Sequence, residues 1–463
     1  MIPVTFRERS TGELGTQKVV NIGKATRRKT IDRINASAAY PPMEAMRDRA
    51  REIRLHTLAN LSEYLAQFAD SVERAGGNVF FASDADEANR YVSRLAEDRG
   101  VRSIVKSKSM VTEEIELNHH LESRGLDVVE TDLGEFIIQI SGDRPAHIIS
   151  PVMHKNRYEI AELFVKELDM EYSDDPVVLN AAARRHLRSI FLGADMGISG
   201  VNFGVADTGT ITTVTNEGNA RLTTTAPRIH VAIMGMERLV PNAGDLTVML
   251  EVLGRSGTGQ ALTVYTNLMT GPRASDEQDG PDELHVVILD NGRSRALSSS
   301  SAEILACIRC GACLNVCPVF REAGGHAYGS VYPGPIGAVL TPALFGHDEW
   351  GDLPFASSLC GACKDACPIR IDIPSLLLEQ RAESMNHRGG EFAWLKPGMA
   401  AYRRIATNPV LWRGFLAAGG VFGKASGDWV TRLPFHAGNW TSTRDLPAPA
   451  AQSFHSWWKE HRG

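Results

Sequence analysis

Between residues 44 and 75 the apolar positions Ala50, Ile53, Leu58, Leu61, Leu65, Phe68 and Val72 recur mostly at steps of three and four. That spacing predicts helix, and the Gly76-Gly77 pair that follows predicts its end. The pattern then changes to short apolar runs separated by helical stretches. "NVFFA" (78–82), "RSIVKS" (102–107) and "LDVVE" (126–130) read as strands, with helices expected over Ala85–Arg99 and Thr112–Arg124. Strands alternating with helices of this length predict a parallel sheet with right-handed crossovers. A further helical stretch, Asn180–Leu192, precedes the glycine-rich "GADMGISGVNFGVADTGTITTVTNEGNARLTT". Three more strand candidates follow: "HVAIMG" (230–235), "LTVMLEVL" (246–253) and "LHVVILD" (284–290). "ALSSSSAEILA" (296–306) reads as a linker into a cysteine-bearing region, and the remainder is rich in Pro, Gly and Trp with weak periodicity. The divisions expected are a basic arm and helix (1–76), an α/β domain with a mostly parallel sheet (77–295), a cysteine domain (296–385) and a Trp/Pro-rich extension (386–463).

Composition adds that the 463 residues, 43% hydrophobic and 22% charged, are those of an ordinary soluble globular chain of two or three domains. The start, "MIPVTFRERSTGELG", lacks the apolar run of a secretory signal. The longest apolar stretch, "VLWRGFLAAGGVFG", is about half of what a bilayer needs and contains Arg413. The expectation is a cytoplasmic protein without a transmembrane segment, with peripheral contact at the inner face of the membrane left open. Charge is uneven: residues 1–60 carry 12 Lys+Arg against 6 Asp+Glu in a chain of net charge −6. This basic lead, with "KATRRKT" at 24–30, reads as a solvated arm or as a docking element for an acidic partner subunit, and nucleic acid is not expected. All seven tryptophans fall at or after Trp350.

The cysteines change the picture most. All seven lie in two stretches, "CIRCGACLNVCP" from Cys307 and "SSLCGACKDACP" from Ser357, which align Cys310, Gly311, Ala312, Cys313, Cys317 and Pro318 with Cys360, Gly361, Ala362, Cys363, Cys367 and Pro368, while Ser357 stands where Cys307 does. An odd number in tight clusters, in a chain without a secretory signal, argues for metal over disulfides. The first run is C-x2-C-x2-C-x3-C-P, the ferredoxin spacing for a [4Fe-4S] cluster, in which the cysteine before proline ligates the other cluster. That rule gives Cys307, Cys310, Cys313 and Cys367 to cluster 1, and Cys317, Cys360 and Cys363 to cluster 2. Paired zinc sites are the competing reading, but four cysteines within eleven residues leave no finger between ligand pairs. Two iron–sulfur clusters are expected, both [4Fe-4S], the second with a non-cysteine fourth ligand at or near Ser357; a corner open to water or a partner, or a [3Fe-4S] second cluster, are the alternatives. The 42 residues between Cys317 and Cys360 predict a helical ferredoxin domain with an insertion, in which "GGHAYGSVYPGPIG" is a loop and His326 is more simply a loop histidine than a ligand.

In the first domain, Lys106 and Lys108 follow a strand, where open parallel sheets bind ligands. The amides of Asp207, Thr208, Gly209 and Thr210 are candidates for an anion cradle, against the plainer reading of a turn. No G-x-G-x-x-G follows the first strand, so a dinucleotide fingerprint is absent.

The stretches "IVKSKSMVTEEIELN", "ETDLGEFIIQI", "GADMGISGVNFGVADTGTI", "CIRCGACLNVCPVFREAGGHAYGSVYPGPIGAVL" and "SSLCGACKDACPI", from about residue 100 to 375, resemble the lactate utilisation protein B family, the iron–sulfur subunit of a three-component bacterial L-lactate oxidation system. The Trp-rich tail resembles its C-terminal extension less sharply. The resemblance implies that Ser357 belongs to the pattern, and that the α/β region is a lactate-utilisation domain similar in fold to sugar-phosphate isomerases and CoA transferases. It implies an electron carrier in the oxidation of L-lactate to pyruvate, partnered by the other lactate-utilisation subunits and a respiratory-chain acceptor. By analogy with transferases of that fold, Glu217 is a candidate nucleophile. An alternative makes the α/β domain itself act on a carboxylate or acyl ligand, with the clusters as redox outlet.

Overall fold

Six parallel strands organise the first part of the computed structural model, which describes residues 5–387, 395–434, 438–442 and 444–462. In chain order the strands are β1 (Asn78–Ala82), β2 (Ser103–Lys106), β3 (Asp127–Glu130), β4 (Met196–Gly200), β5 (Phe203–Val205), β6 (Thr210–Thr215), β7 (Ile229–Gly235), β8 (Leu239–Val240), β9 (Tyr265–Met269) and β10 (Glu283–Leu289). The main sheet runs β1-β10-β7-β4-β2-β3, all parallel. A second sheet, β8-β5-β6-β9, stands beside it. The central strands are almost wholly buried, β7 from end to end, as expected of strands covered on both faces.

The expected α/β domain with a mostly parallel sheet is therefore present, followed by helical segments around the cysteines. "LTVMLEVL", expected as a strand, is instead part of the helix Ala243–Gly257, whose N-cap Asn242 accepts the Asp245 amide. Leu246, Met249, Val252 and Leu253 are buried there while Thr247 faces solvent, so a three-to-four-residue stripe overrode the β-branched composition. The helix expected over 44–75 is two, Met43–Ala59 and Leu61–Arg74, hinged at Asn60. That over 112–124 is also two, Met110–Glu114 and Leu117–Glu122, broken where Glu116 takes a positive φ of 51°. The glycine-rich stretch holds β4 to β6. Gly197 serves a close approach: a Cβ there would lie 1.8 Å from the Thr223 carbonyl oxygen, so the helix Asn219–Thr225 can lie against β4 only with glycine at that point.

Two regions read as loose are packed. The basic arm forms the helix Gln17–Ala38, which buries Val19, Ile22, Gly23 and Thr26 and lies against Ala243–Gly257 and the cysteine segment. The linker is held at Ser301, whose Oγ accepts from Gln380 Nε2 (2.7 Å), and at Leu305 and Ala306, whose carbonyls accept from the buried Arg54. One apolar core accordingly runs from Ile22 and Phe68 through Val286 and Ile288 to Phe320, Ile336 and Leu377, and a second, with Val92, Ile104 and Val231, fills the opposite face of the sheet.

The chain divides into two compact units at His387. In the second, the helices Leu395–Ala406 and Pro409–Ser426 pack on each other, Trp429–Val430 pairs antiparallel with Leu446–Pro447, and a helix Phe454–Arg462 follows. Trp394 lies outside the described residues. Among the described residues no helix is long and apolar enough to cross a membrane.

Candidate metal centres and the adjoining cavity

The sequence repeat is also a backbone repeat with an offset of fifty residues. The short helices Ala312–Val316 and Ala362–Ala366 correspond position for position and pack against each other. Each is entered through two left-handed residues, Arg309 and Gly311 (φ 59° and 73°) in the first half and Leu359 and Gly361 (55° and 85°) in the second. These conformations turn the chain so that its amides face the sulfur atoms. The Arg309 amide donates to Cys307 Sγ at 3.3 Å, and the Leu359 amide donates to Ser357 Oγ at 3.1 Å. The serine hydroxyl thus receives the same hydrogen bond in the second half as the thiol does in the first.

All seven cysteines are free, and all but Cys307 and Cys360 are buried. Burial pushes the Cys310, Cys313 and Cys317 thiols up, Cys363 up to about 12 and Cys367 up to about 11. After burial, the neighbours acting on Cys310 are Cys367 and Cys307, and those acting on Cys367 begin with Cys307. Cys313 responds to Cys307, Cys310 and Cys367, and also to Cys363. Cys317 acts on Cys363, and both respond to Cys360. Amides of Ala312, Phe320, Lys364, Ile369 and Ile371 oppose these shifts by hydrogen bonds to the sulfurs. Crowded, buried thiols with converging N–H donors suit thiolates that share a cation-rich group, since only a metal supplies the countercharge that lets them ionise together. The residues fit iron–sulfur ligation.

The countercharge supplied by the protein is unequal. Arg54, Arg238 and Arg309 each feel Cys307, Arg33 is paired electrostatically with Cys310, and Arg47 with Cys367. Around the other set, Arg321 faces Cys317 while Asp365 opposes Cys360, whose thiol is lowered chiefly by the Ala362 amide. Arg33, Arg47 and Arg54 come from the N-terminal helices. Arg47 Nη2 donates to the carbonyls of Asp365 (2.8 Å) and Cys367 (2.9 Å). Arg54, fully buried, donates to the carbonyls of Glu237, Leu239, Leu305 and Ala306. The sequence signal was there to be read: Arg47, Arg51 and Arg54 stand at steps of four and three on one helix and so share a face.

Beside Cys310 a cavity of about 560 Å³ opens at the carboxyl ends of β2, β3, β4 and β7, the usual ligand position of an open parallel sheet. Lys29, Lys108, Asp132, Glu217, Arg309 and Cys310 are among its lining residues. At one side, Arg293 grips Glu114 through two 2.8 Å bonds and donates to Glu237 Oε2 at 2.7 Å. Arg309 Nη2 donates to Glu237 Oε1 at 3.3 Å. Burial would raise Glu237, but Arg293 and Arg309 hold it down at about 2.

Of the ligand candidates in the α/β domain, Lys108 lines this cavity, as does Glu217. Lys106 lies elsewhere: its ammonium is fully buried against Thr112 Oγ1 (2.9 Å), Glu113 Oε1 (3.3 Å) and Glu130 Oε1 (2.6 Å). Two hydrogen bonds and the Glu130 ion pair enclose it, and it does not line the cavity. Asp207, Thr208, Gly209 and Thr210 form the β5–β6 turn against the helix Leu61–Arg74, away from the cavity. The Asp207 and Gly209 amides are taken by the carbonyls of Pro241 and Val205, so a free anion cradle is not formed there. His326 bonds the Arg144 carbonyl (2.8 Å) and stacks edge-on to His154. His154 in turn bonds Asp143, but the Lys155 ammonium sits 2.9 Å from the same carboxylate oxygen.

Three family models match the chain: the LUD domain over residues 65–289, the 4Fe-4S dicluster domain over 303–371, and the lactate utilisation protein B C-terminal domain over 381–463. A crystal structure of a DUF162 family protein from Deinococcus radiodurans aligns with 50% of this chain and 98% of that one at 13% identity and a TM-score of 0.29. The lactate utilization protein B of Bacillus cytotoxicus is 45% identical over 443 residues, and that of Bacillus thuringiensis 44% over the same length, each alignment covering 95% of this chain and 93% of the relative. With that identity over nearly its whole length, and with paired cysteine runs built on one backbone repeat, the chain belongs to the lactate utilisation protein B family.

Proposed function

We propose that this protein is the iron–sulfur electron-transfer subunit of a multi-protein system that oxidises L-lactate to pyruvate. Two [4Fe-4S]-type clusters, when bound, supply one-electron relay. The observation that carries this reading is the crossed grouping of the thiols: Cys307, Cys310 and Cys313 have Cys367 as their neighbour, while Cys317 groups with Cys360 and Cys363. We assign the first four residues to cluster 1 and the other three to cluster 2.

Ser357 takes the fourth position of cluster 2, supported by the Leu359 amide that its hydroxyl accepts in the place of the Arg309–Cys307 bond. Oxygen is a harder ligand than thiolate and holds that iron less firmly. Cys360 is exposed and Ser357 half-buried, so cluster 2 faces solvent and is the point of electron exchange with a partner: another lactate-utilisation subunit, or an acceptor of the respiratory chain. The cytoplasmic side, with peripheral contact to the membrane, is the setting this assigns. The α/β domain (77–295) and the cysteine domain (296–385) act as one body, with the N-terminal helices supplying arginine countercharge to cluster 1 and the 386–463 extension serving assembly.

Iron and acid-labile sulfide, counted on anaerobically purified protein with EPR of oxidised and reduced samples, test the reading. About eight irons per chain are expected. Colourless, metal-free protein overturns the relay. About seven irons with a three-iron signal in the oxidised sample overturns Ser357 as a ligand and leaves the seven cysteines in place.

A further inference from the structure

The cavity beside Cys310 has two charged poles. At the first, Lys29 from the helix Gln17–Ala38 and Lys108 from the β2 loop both line the cavity, and both act on the buried His147. Lys108 Nζ lies 2.9 Å from Glu135 Oε1 but off the hydrogen-bonding direction, and both atoms are buried without a hydrogen bond. Burial pushes the Lys29 pKa down, with Asp32 its opposing carboxylate. A buried ammonium without a hydrogen bond, on Lys108, beside the half-buried Lys29 in the same cavity calls for an anion at this pole. Arg309 adds a buried Nη1 without a partner in the same wall.

The second pole is a pair of carboxyl groups, Asp132 and Glu217. Glu217 Oε2 accepts the Leu133 amide (3.0 Å), and burial, then the Asp132 charge, raise its pKa to about 7. Burial raises Asp132 as well, against the pull of Lys108. Near neutral pH Glu217 is therefore partly protonated, and offers both an acceptor for a hydroxyl and a donor for a carbonyl oxygen. The lining also includes the apolar side chains Ile137, Ile148, Ile149, Val152, Val214 and Leu253.

We propose that the cavity binds a small organic acid of the 2-hydroxy or 2-oxo carboxylate class, its carboxylate between Lys29 and Lys108 and its α-oxygen toward Asp132 and Glu217, with Cys310 in the same wall. The class of acid rests on the lactate-linked reading above; the anion site rests on the geometry alone. A three-carbon acid has six heavy atoms and at ~30 Å³ for each takes no more than about a third of the space. The apolar walls therefore also admit longer 2-hydroxy acids.

Isothermal titration of anaerobically purified protein, its iron and sulfide measured on the same sample, tests this with sodium L-lactate, pyruvate and 2-hydroxybutyrate, and with acetate and phosphate as controls. The three acids are expected to bind at one site and more tightly than acetate or phosphate. Lys29→Met and Lys108→Met should each weaken binding roughly 10- to 100-fold, the effect of losing a charge-assisted bond. Glu217→Leu should erase the advantage of L-lactate over acetate. If Lys108→Met does not fold because Glu135 is left unpaired, Lys29→Met and Glu217→Leu decide. No binding to protein that carries both clusters overturns this inference and leaves the relay standing. Binding that both lysine variants retain, or that acetate and phosphate match, also overturns it. Protein that binds the acids but holds no iron overturns the relay alone.

Discussion

Removing the charge of Arg33 should lower the reduction potential of cluster 1 and leave that of cluster 2 in place. The side chain projects from the helix Gln17–Ala38, its Nε is buried without a hydrogen-bond partner, and its charge acts on Cys310. Arg33→Gln keeps a polar head of similar reach and deletes the positive charge. A unit charge at ~6 Å in a medium of effective dielectric ~20 is worth about 3 kcal/mol. At about 2.3 kcal/mol per 100 mV, that corresponds to roughly 120 mV for one electron. Arg33 is only half-buried, and solvent screening reduces the effect, so a fall of about 50–100 mV is expected. The sign follows from the reduced cluster being the more negative: a nearby cation stabilises it, and losing the cation makes reduction harder. Potentiometric titration of the holoprotein followed by EPR reads both clusters, and Arg33→Lys, which restores the charge, should recover most of the loss. A shift of cluster 1 below about 20 mV, or equal shifts of both clusters, would refute the assignment of Arg33 to cluster 1.

Three further outcomes are expected. Arg54→Met leaves four buried carbonyls, on Glu237, Leu239, Leu305 and Ala306, without their shared donor. The loss should be about 3–5 kcal/mol, read as a lower urea midpoint, and a midpoint indistinguishable from wild type sinks the idea that this guanidinium staples the cysteine segment to the sheet. Ser357→Ala should lower the iron count by about one per chain and Ser357→Cys should keep it, and equal counts in all three proteins would mean that the hydroxyl holds no iron. His230, buried in β7 and bonded to Ser199 Oγ (2.8 Å), is held down at about 3 by burial, then by His285. The unfolded chain takes up that proton at about pH 6.5, so the stability His230 contributes is complete above that pH and is lost as pH falls toward 3, by up to ~1.4 kcal/mol per unit. His230→Gln should flatten the urea midpoint against pH between about 6 and 4; an unchanged slope counts against a buried neutral imidazole.

Much of this architecture was legible because it is local. β1 falls on "NVFFA", β2 and β3 fall within their short apolar runs, and β7 and β10 begin one residue before theirs, since a strand buried on both faces needs a continuous apolar run. The 4Fe-4S domain was legible because cluster ligation fixes a cysteine spacing, and the offset of fifty residues between the two runs is carried by backbone angles as well as letters. Where local signals competed, tertiary packing decided. "LTVMLEVL" satisfies both strand composition and helical spacing, and its apolar stripe against the N-terminal helices made it a helix.

Sequence alone determined that the chain alternates strand and helix, that two cysteine runs repeat one spacing, and that the second run opens on serine where the first has cysteine. Only the folded chain decided which charges face which groups. The basic lead that read as a solvated arm became helices, one carrying Arg33 and another Arg47 and Arg54, whose charges act at Cys310, Cys367 and Cys307. Lys106 and Lys108, two residues apart on the page, parted company: one closed into a buried ion cluster, the other opened into the cavity with Lys29, Asp132 and Glu217. The physical reason is that a charge's role depends on its partners and its burial, and partners scores to hundreds of residues away in the chain become neighbours only when the apolar core brings them together.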